Sequence, residues 1–378
     1  MKKLKLTAWN VEHLGRPLRD LHNTQNKKRL KLISTQIIRM DSDILCICEA
    51  PADPRQIQSW IDLPIDDGGL DGRYKVATIE GTFDKVNNSS RTPLQTIGNL
   101  YATRGNQWIW FILKNDIFDN HFVRVQAPDT WQSFTGVKEW TVYYWGNFSA
   151  DTHRHYRHPQ SLILNCDGYE IEIIGVHLKS KINRNQQFVD SERTALTEEY
   201  VTEALKNRIK LTTEALDIRM YINQRFEMEE SPRIIICGDL NDGPGREFFE
   251  RKYLFFDLLS NIQGDVFLAS RFLNHALFDY AEHLRWSTQF NDRIERWALE
   301  NFKGYKRTSS MLDNTRHQLI DHILFTQEFV DHNTSGLKVF PKAGYIEHLI
   351  HERVNSMDDR IRTSDHRPLS LDIKSTEV

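Results

Sequence analysis

Short segments in which apolar residues alternate with polar ones, or follow one another without interruption, recur along the whole chain. Both patterns are typical of β-strands, the first with one buried face and the second with two. The segments predicted as strands are Lys3–Asn10, Asp43–Cys48, Tyr74–Ile79, Trp108–Leu113, Trp140–Trp145, Ser161–Asn165, Glu170–Val176, Arg233–Cys237, Leu319–Phe325 and Pro368–Ile373. The Asp167-Gly168 pair predicts a tight hairpin between two of them.

Helical spacing of apolar residues distinguishes a smaller part of the chain. In residues 26–40, with Asn26 as the predicted N-cap, apolar positions recur every three or four residues. A longer stretch, about 192–226, keeps this spacing without Gly or Pro and predicts one long helix. Residues of about 243–316 are aromatic and Arg-rich and are predicted as a helical insertion. Strands with helices distributed among them favour a layered α/β or α+β sandwich, interpreted as a single domain over 1–378.

Composition narrows the class of protein. The 378 residues are 39% hydrophobic and include 9 Trp and 20 Phe, enough for a sizeable core, which excludes a mainly disordered chain. The 49 Lys and Arg residues and 52 Asp and Glu residues give a net charge of −3. This balance excludes a basic nucleic-acid coat protein, so a phosphate-bearing partner must meet local positive charge or a metal ion.

The positions of the cysteines and the hydropathy of the chain indicate the cellular compartment in which the protein is expected. The four cysteines lie in apolar, strand-like segments, which is typical of buried free thiols in a reducing compartment, and their spacing does not match a zinc site. They are Cys46, Cys48, Cys166 and Cys237. No apolar run approaches the roughly 18 residues of a membrane span, and no targeting segment is visible. We therefore expect a soluble cytoplasmic protein with no membrane association and no stable protein partner.

Polar residues of a particular kind stand at the ends of the predicted strands. They are Asn10 and Glu12, Glu49, His177, Asp239 and Asn241, and Asp365 and His366, with Asp321 inside the strand Leu319–Phe325. A strand end holds a side chain outside the core on a rigid support. Carboxylates, amides and histidines without thiolates suit a hard divalent cation together with a general acid and base. The sequence therefore predicts metal-assisted phosphoryl chemistry.

The amino-acid sequences and the order of these segments resemble the motifs of the endonuclease/exonuclease/phosphatase superfamily, which has the deoxyribonuclease I-like fold. The matching segments are WNVEHL, DILCICE, VHLKSK, CGDLND, LIDHIL and SDHRP, in the family's chain order. The resemblance extends from Trp9 to Pro368. It implies a four-layer α/β/β/α sandwich, with two packed mixed β-sheets flanked by helices and the site at one edge of the sheets.

The resemblance also implies roles for individual residues. Glu49 matches the principal metal carboxylate, supported by Asn10, Glu12 and Asp365, although many family members have Asp where Glu12 stands. The cation implied is Mg²⁺, with Mn²⁺ as a substitute.

The residues implied to act in catalysis are His177, Asp239, Asn241, Asp321 and His366. Asp239 matches the residue that orients or deprotonates the attacking water, and Asn241 the donor to a phosphate oxygen. His366 matches the catalytic histidine and Asp321 the carboxylate that orients it, which predicts a hydrogen bond between the two. His177 matches the histidine of deoxyribonuclease-like members.

Substrate contacts are predicted at Arg157 and Lys179, which stand beside these motifs. In the insertion, apolar residues are expected to pack against the rest of the chain. A sharper alternative is that Trp286, Trp297 or Tyr305 stacks on a base or another flat group of the substrate.

The main interpretation is a Mg²⁺-dependent phosphodiesterase that acts as a nuclease on DNA or RNA. The alternatives are a phosphomonoesterase or a lipid- or inositol-type phosphatase of the same fold, and a catalytically inactive binding scaffold. A nuclease needs an open track of positive charge, for which the candidates are Arg154 with Arg157, Lys179 to Arg184, and Arg360 to Arg367. A small substrate instead requires that the 243–316 insertion close the site into a pocket.

Overall fold

The computed structural model describes residues 3–79, 81–82, 107–135, 139–143, 150–166, 168–244, 247–254, 258–290, 292–302 and 317–376. The hairpin residue Asp167, the end of the strand predicted at Trp140–Trp145, and Tyr305 lie outside these ranges.

Strands account for most of the regular structure at the centre of the molecule. They are β1 (Lys3–Asn10), β2 (Ile44–Ala50), β3 (Tyr74–Thr78), β4 (Gly81–Thr82), β5 (Trp108–Lys114), β6 (Phe122–Val125), β7 (Trp140–Tyr143), β8 (Ala150–His153), β9 (Gln160–Cys166), β10 (Tyr169–His177), β11 (Ile234–Asp239), β12 (Asn274–His275), β13 (Thr288–Gln289), β14 (His317–Gln318), β15 (Asp321–Phe325), β16 (Gly336–Ile346) and β17 (Leu369–Thr376).

Two of the sheets formed by the described residues are large and mixed. The first has seven strands in the order β16-β17-β1-β2-β5-β3-β4, and the second has six in the order β12-β15-β11-β10-β9-β6. In the first sheet β1 is parallel to β2, and in the second β10 is parallel to β11. Strands β7 and β8, and β13 and β14, form separate antiparallel pairs.

Helices connect and cover these sheets. They are α1 (Gly15–Arg19), α2 (Thr24–Met40), α3 (Pro54–Asp62), α4 (Asn115–Asn120), α5 (Pro128–Thr135), α6 (Glu198–Met228), α7 (Leu258–Gln263), α8 (Arg293–Asn301) and α9 (His348–Asn355). None of the helices in the described part of the chain is long and apolar enough to cross a membrane.

The alternation along β11 explains the layering. Ile235 and Cys237 belong to the core between the two sheets, whereas Ile234 and Ile236 pack with α6 on the opposite face. The apolar run 234–237 of this strand is therefore buried on both sides, as its uninterrupted pattern predicted. Residues of α2 such as Ile33 pack in the same apolar core as residues of the first sheet. The predicted four-layer α/β/β/α sandwich is confirmed.

The two sheets approach each other closely at Gly175 of β10. A Cβ atom at this position would lie 2.9 Å from Sγ of Cys46, 2.9 Å from Cγ2 of Ile109 and 3.0 Å from Cζ of Phe111. The absence of a side chain at Gly175 thus sets the spacing between the sheets at this point. The four cysteines are free and buried, as their apolar surroundings predicted.

The helix boundaries correct the sequence predictions in two places. The N-cap of α2 is Asn23, whose side chain accepts hydrogen bonds from the amides of Gln25 and Asn26, so the predicted cap Asn26 is wrong and lies inside the helix. The long helix begins at 198 and not at 192. Thr197 caps α6 by accepting from the amide of Tyr200. The residues before it are held in an extended bridge between Phe188 and Leu196.

The insertion is less helical than predicted. Its described part contains α7, α8 and the short strands β12 and β13, joined by 3-10 turns at Val266–Arg271 and Glu282–Leu284. Local capping explains one of these turns, since the Asp265 side chain accepts from the amide of Phe267 and begins the first of them. Composition alone did not predict where such short-range bonds end the helices.

Candidate active site

Three neighbouring strands of the second sheet present polar side chains in one row. His177 ends β10, Asp239 ends β11 and Asp321 begins β15. In the strand register His177 pairs with Asp239, and Asp239 pairs with Asp321. Nε2 of His177 lies 3.5 Å from Oδ2 of Asp239. All three residues are buried, so the sheet places three of the predicted catalytic residues side by side in a poorly hydrated setting.

The first sheet contributes Asn10 at the end of β1 and Glu49 near the end of β2. Nδ2 of Asn10 donates to Oδ2 of Asp239 at 2.9 Å and to Oε1 of Glu49 at 3.4 Å. Glu49 has a left-handed backbone, with φ of 59°, where the register of β2 against β5 shifts between Ile47 and Ala50. Such a bulge changes the direction of a side chain. Asn10 thereby links the carboxylates of the two sheets.

His366 enters the site from the loop before β17. Its Nδ1 lies 2.8 Å from Oδ2 of Asp321, which confirms the predicted hydrogen bond. The His366 backbone is also fixed, because Nε1 of Trp9 donates to its carbonyl at 3.0 Å and its own amide donates to Oγ of Ser364 at 3.0 Å. Nε2, 3.9 Å from Oδ1 of Asp365, is the ring nitrogen directed away from Asp321.

The charges of His366 and Asp239 follow from these contacts. Burial lowers the pKa of His366, but the charge and hydrogen bond of Asp321, with the charges of Asp239 and Asp365, outweigh burial and raise it to about 10. His366 is therefore an imidazolium at neutral pH. Burial, reinforced by repulsion from Asp321, raises the pKa of Asp239 to about 6. A carboxylate with a pKa near the working pH is suited to accept a proton during catalysis.

His177 has the opposite character. Burial lowers its pKa well below the ordinary value, and the positive charges of Arg157 and His366 lower it further, so the ring is neutral at pH 7. Arg157 is itself buried, and its Nη1 donates to the carbonyls of His177 at 3.3 Å and Leu178 at 3.0 Å. The predicted substrate contact Arg157 is thus engaged with the backbone that carries His177.

Asn241 and Lys179 lie on the loops that follow β11 and β10. The amide of Asn241 donates to Oδ1 of Asp239 at 2.8 Å, and its Nδ2 donates to the carbonyl of Leu178 at 2.9 Å. Nζ of Lys179 donates to the carbonyl of Ser180 at 2.8 Å. Burial lowers the pKa of this ammonium group. Asn241 therefore adjoins the catalytic row, whereas the Lys179 ammonium group bonds to its own loop.

Glu12 and Asp365, both predicted metal ligands, are near Arg362. Glu12 accepts from Nη2 of Arg362 at 2.8 Å and from Nε at 3.1 Å. Burial raises the pKa of Glu12, but the contact with Arg362 outweighs it and the pKa is lowered. Nη2 of Arg362 also lies 3.9 Å from Oδ2 of Asp365. The structure thus groups Glu12 and Asp365 with an arginine, and Glu49 with Asn10.

Sequence reasoning missed His13, which adjoins the predicted metal carboxylate. Nδ1 of His13 lies 2.7 Å from Oε2 of Glu49, and its amide donates to the same oxygen at 2.9 Å. A signal was present, because His13 stands in the same WNVEHL segment as Asn10 and Glu12. Arg362 was missed as a partner of Glu12, since a contact between residues so distant in sequence leaves no local pattern.

The donor set fits a hard divalent cation. Ligand atoms of Asp239, Asp321 and His366 lie within 4.8 Å of one another. Oδ1 of Asp321 is buried and, among the described residues, has no hydrogen-bond partner. Two adjacent buried carboxylates and a nearby glutamate are stabilised by added positive charge, and oxygen donors are those that Mg²⁺ and Mn²⁺ prefer. Glu49 and Asn10 are the residues that would hold such an ion, with Asp365 at the edge of the site.

The two tryptophans of the insertion follow the simpler of the two predictions. Trp297 is buried in a cluster with Phe248 and Phe249. Trp286 stacks on His317 with ring centroids 3.9 Å apart, and the guanidinium of Arg367 lies 3.9 Å from its ring centre. Both tryptophans therefore pack against the protein itself.

Comparison with known proteins gives likeness of fold at low identity. No family model and no curated protein matches the chain. Similar solved structures include D. rerio TDP2 complexed with single strand DNA product, with 14% identity, a TM-score of 0.46 and coverage of 98% of this chain and 99% of that chain. The endonuclease/exonuclease/phosphatase from Bacteroides vulgatus has 14% identity, a TM-score of 0.46 and full coverage of both chains. Bacteroides thetaiotaomicron mannosyl-6-phosphatase has 11% identity and a TM-score of 0.42, and the match covers 99% of this chain and 100% of that chain.

These values are too low to transfer an activity. The second of the three structures carries the name of the superfamily that the sequence motifs resemble. The residues and geometry of this chain are therefore what indicate its function.

Proposed function

We propose that this protein is a divalent-metal-dependent phosphoester hydrolase in which water attacks phosphorus. One observation carries the proposal: Nδ1 of His366 lies 2.8 Å from Oδ2 of Asp321, and a carboxylate oxygen of Asp239 lies within 4.8 Å of the ligand atoms of both. In this arrangement the pKa of His366 is raised and that of Asp239 is raised to about 6. A fixed cation next to a carboxylate that can accept a proton is the pair that hydrolysis of a phosphoester needs.

Each residue has a definite part in the proposed reaction. Asp239 accepts a proton from the attacking water as the new P–O bond forms. Nε2–H of His366 donates to a phosphate oxygen or to the oxygen that leaves when the P–O bond to the alcohol breaks. Asn241, fixed by Leu178, donates to a second phosphate oxygen. A divalent cation bound beside Glu49 would neutralise negative charge on the phosphate oxygens.

Within this class of hydrolase, the sequence favours a nuclease. A nucleic-acid substrate requires a track of positively charged side chains that have no carboxylate partners. Several of the candidate cations have carboxylate partners in the structure. Nη1 of Arg154 lies 3.3 Å from Glu139, Nζ of Lys181 lies 2.7 Å from Asp242, and Arg362 is paired with Glu12. This pairing weakens the support for a long nucleic acid and favours the smaller phosphoester as the second candidate.

The test is a hydrolysis assay in Mg²⁺, in Mn²⁺ and in excess EDTA. Its substrates are single- and double-stranded DNA, RNA, inositol phosphates, sugar phosphates and a simple phosphodiester. We expect activity that EDTA abolishes and Mg²⁺ restores, and that His366→Ala loses while His283→Ala, which changes an exposed histidine, keeps it. Full activity in EDTA, or equal activity of the two variants, would contradict the proposal.

A further inference from the structure

A cavity of about 490 Å³ lies directly beside the catalytic residues, within the range of roughly 300–1,000 Å³ that is usual for ligand sites. Asn241, Asp365 and His366 line it on the catalytic side. The opposite walls come from the loop after β10, from α6 and from the insertion. They include Lys181, Tyr200, Arg208, Thr288, Phe290 and Arg293.

The insertion wall is attached firmly to the catalytic loop. Thr288 forms a β-bridge with His366, and its Oγ1 donates to the carbonyl of Asp365 at 3.0 Å. Oγ of Ser287 accepts from the amide of Asp321 at 3.1 Å, and the carbonyl of Ser287 accepts from the amide of Arg367 at 2.6 Å. A group bound against this wall therefore has a fixed position relative to Nε2 of His366.

Charge inside the cavity is balanced and not cationic. Nζ of Lys181 lies 2.7 Å from Asp242 and 3.5 Å from Glu247, and Arg208 is paired with the same Glu247. Asp292, which also lines the cavity, adds a carboxylate. Arg293 also lines the cavity and Glu295 adds a further carboxylate, so positive and negative groups are matched and the cavity does not favour the further phosphates of a polymer. It is suited to an uncharged part of a substrate.

The remaining lining indicates what that part is. Amide and hydroxyl groups of Ser180, Gln187 and Gln318 line the cavity and can bond to hydroxyl groups. Phe290 lines it as well and is 53% exposed, a high value for a large apolar side chain. An exposed aromatic ring in a pocket provides a stacking surface for a flat or ring-shaped group.

We infer that this cavity binds the alcohol part of the substrate, a single hydroxylated ring of sugar or nucleoside size, and that the enzyme acts on small phosphoesters of such alcohols. The inference rests on the proposed hydrolase function and names its substrate class. Sugar phosphates and nucleotides share this chemistry, and the experiment separates them.

The experiment compares kcat/KM for a hexose 6-phosphate, a nucleoside 5′-monophosphate, methyl phosphate and a short DNA duplex, in Mg²⁺. The variant is Phe290→Ala. Its matched control is Phe278→Ala, since Phe278 is 58% exposed and is not part of the cavity lining. Binding of the two ring-bearing esters is measured separately by calorimetry with Ca²⁺ in place of Mg²⁺.

At least one ring-bearing ester should exceed both methyl phosphate and the duplex by about tenfold or more in kcat/KM. Phe290→Ala should raise KM for the preferred ring-bearing ester by about tenfold and leave kcat/KM for methyl phosphate unchanged. Phe278→Ala should change neither value. Preference for the nucleotide identifies the ring as a nucleoside, and preference for the hexose ester identifies it as a sugar.

Two results would overturn the inference. One is a duplex hydrolysed more efficiently than every ring-bearing ester, and the other is an equal effect of Phe290→Ala and Phe278→Ala on all substrates. Failure of the hydrolase proposal looks different: no ester is hydrolysed in any metal, while the calorimetry still shows ring binding that depends on Phe290.

Discussion

His366 and His177 flank the Asp239–Asp321 pair and carry different charges, because burial is outweighed at His366 and reinforced at His177. Behind His366 stands Asp321, whose carboxylate raises the pKa of the ring to about 10. Near His177 stands Arg157, whose guanidinium adds to the effect of burial and keeps the ring neutral. Both rings are buried, so burial alone does not decide the charge of a histidine here. Asp321 outweighs burial at His366, whereas burial, reinforced by Arg157, keeps His177 neutral, so the site has one charged ring and one neutral ring at pH 7.

The largest difference between the two should appear on removal of each ring. His366→Ala removes the charged donor, so kcat/KM should fall by roughly 10²–10⁴-fold, as for loss of a general acid or base. His177→Ala should lower kcat/KM by less, at most by the roughly 10²–10³-fold that follows the loss of one hydrogen-bond donor. Steady-state kinetics on one phosphoester measure both. An equal or larger loss in His177→Ala would mean that the neutral ring carries the main catalytic step.

The pH dependence tests the charge assignment itself. The rate should rise with pH as Asp239 loses its proton through about 6, and fall as His366 loses its proton through about 10. Asp321→Asn removes the carboxylate that raises both pKa values. Both limbs of the kcat/KM profile should therefore move to lower pH. An alkaline limb that stays in place in this variant would contradict the role assigned to Asp321.

Metal binding should separate Glu49 from Arg362. Glu49→Gln removes a carboxylate donor and should weaken Mn²⁺ binding by at least about tenfold. Arg362→Ala removes the positive charge beside Glu12 and Asp365. It should strengthen Mn²⁺ binding by about two- to fivefold, which is the size of effect expected from one exposed charge pair. Electron paramagnetic resonance of free Mn²⁺ measures both without turnover. Weaker binding in Arg362→Ala would show that the arginine supports the site and does not compete with the ion.

The smallest expected effect concerns the residue behind His177. Arg157→Met removes the positive charge that lowers the pKa of His177, so this pKa should rise, although burial keeps it below the ordinary value. Nuclear magnetic resonance of the imidazole protons during a pH titration measures it. Arg154→Met is the matched control, because Arg154 is a half-exposed neighbour paired with Glu139. An unchanged or lower His177 pKa in the Arg157 variant alone would contradict the explanation.

The sequence predicted that the candidate residues would come together, because they stand at strand ends. The apolar runs of β10 and β11 lead directly to His177 and Asp239, and the pairing of Asp321 with His366 was expected and is present at 2.8 Å. The layering was also predictable, since β11 is apolar on both faces. These features depend on local patterns of apolar residues or on motifs that follow one another in the family's chain order.

Contacts between distant segments could not be predicted in the same way. Arg362 meets Glu12 across 350 positions of sequence, and no periodicity records that meeting. The cap Asn23 and the start of α6 at Glu198 depend on which of several polar side chains reaches a free amide. The cavity formed with the insertion likewise depends on the bridge between Thr288 and His366.

The close approach of the two sheets at Gly175 makes the geometry of the candidate active site sensitive to core packing. Asn10, Glu49 and His366 belong to one sheet or the loop leading into it, whereas His177, Asp239 and Asp321 belong to the other. Any extra volume between the sheets must therefore separate the two halves of the site. Variation in the core is constrained at Gly175 by chemistry as well as by stability, so a protein that still folds with a larger residue there can already have lost its catalytic alignment.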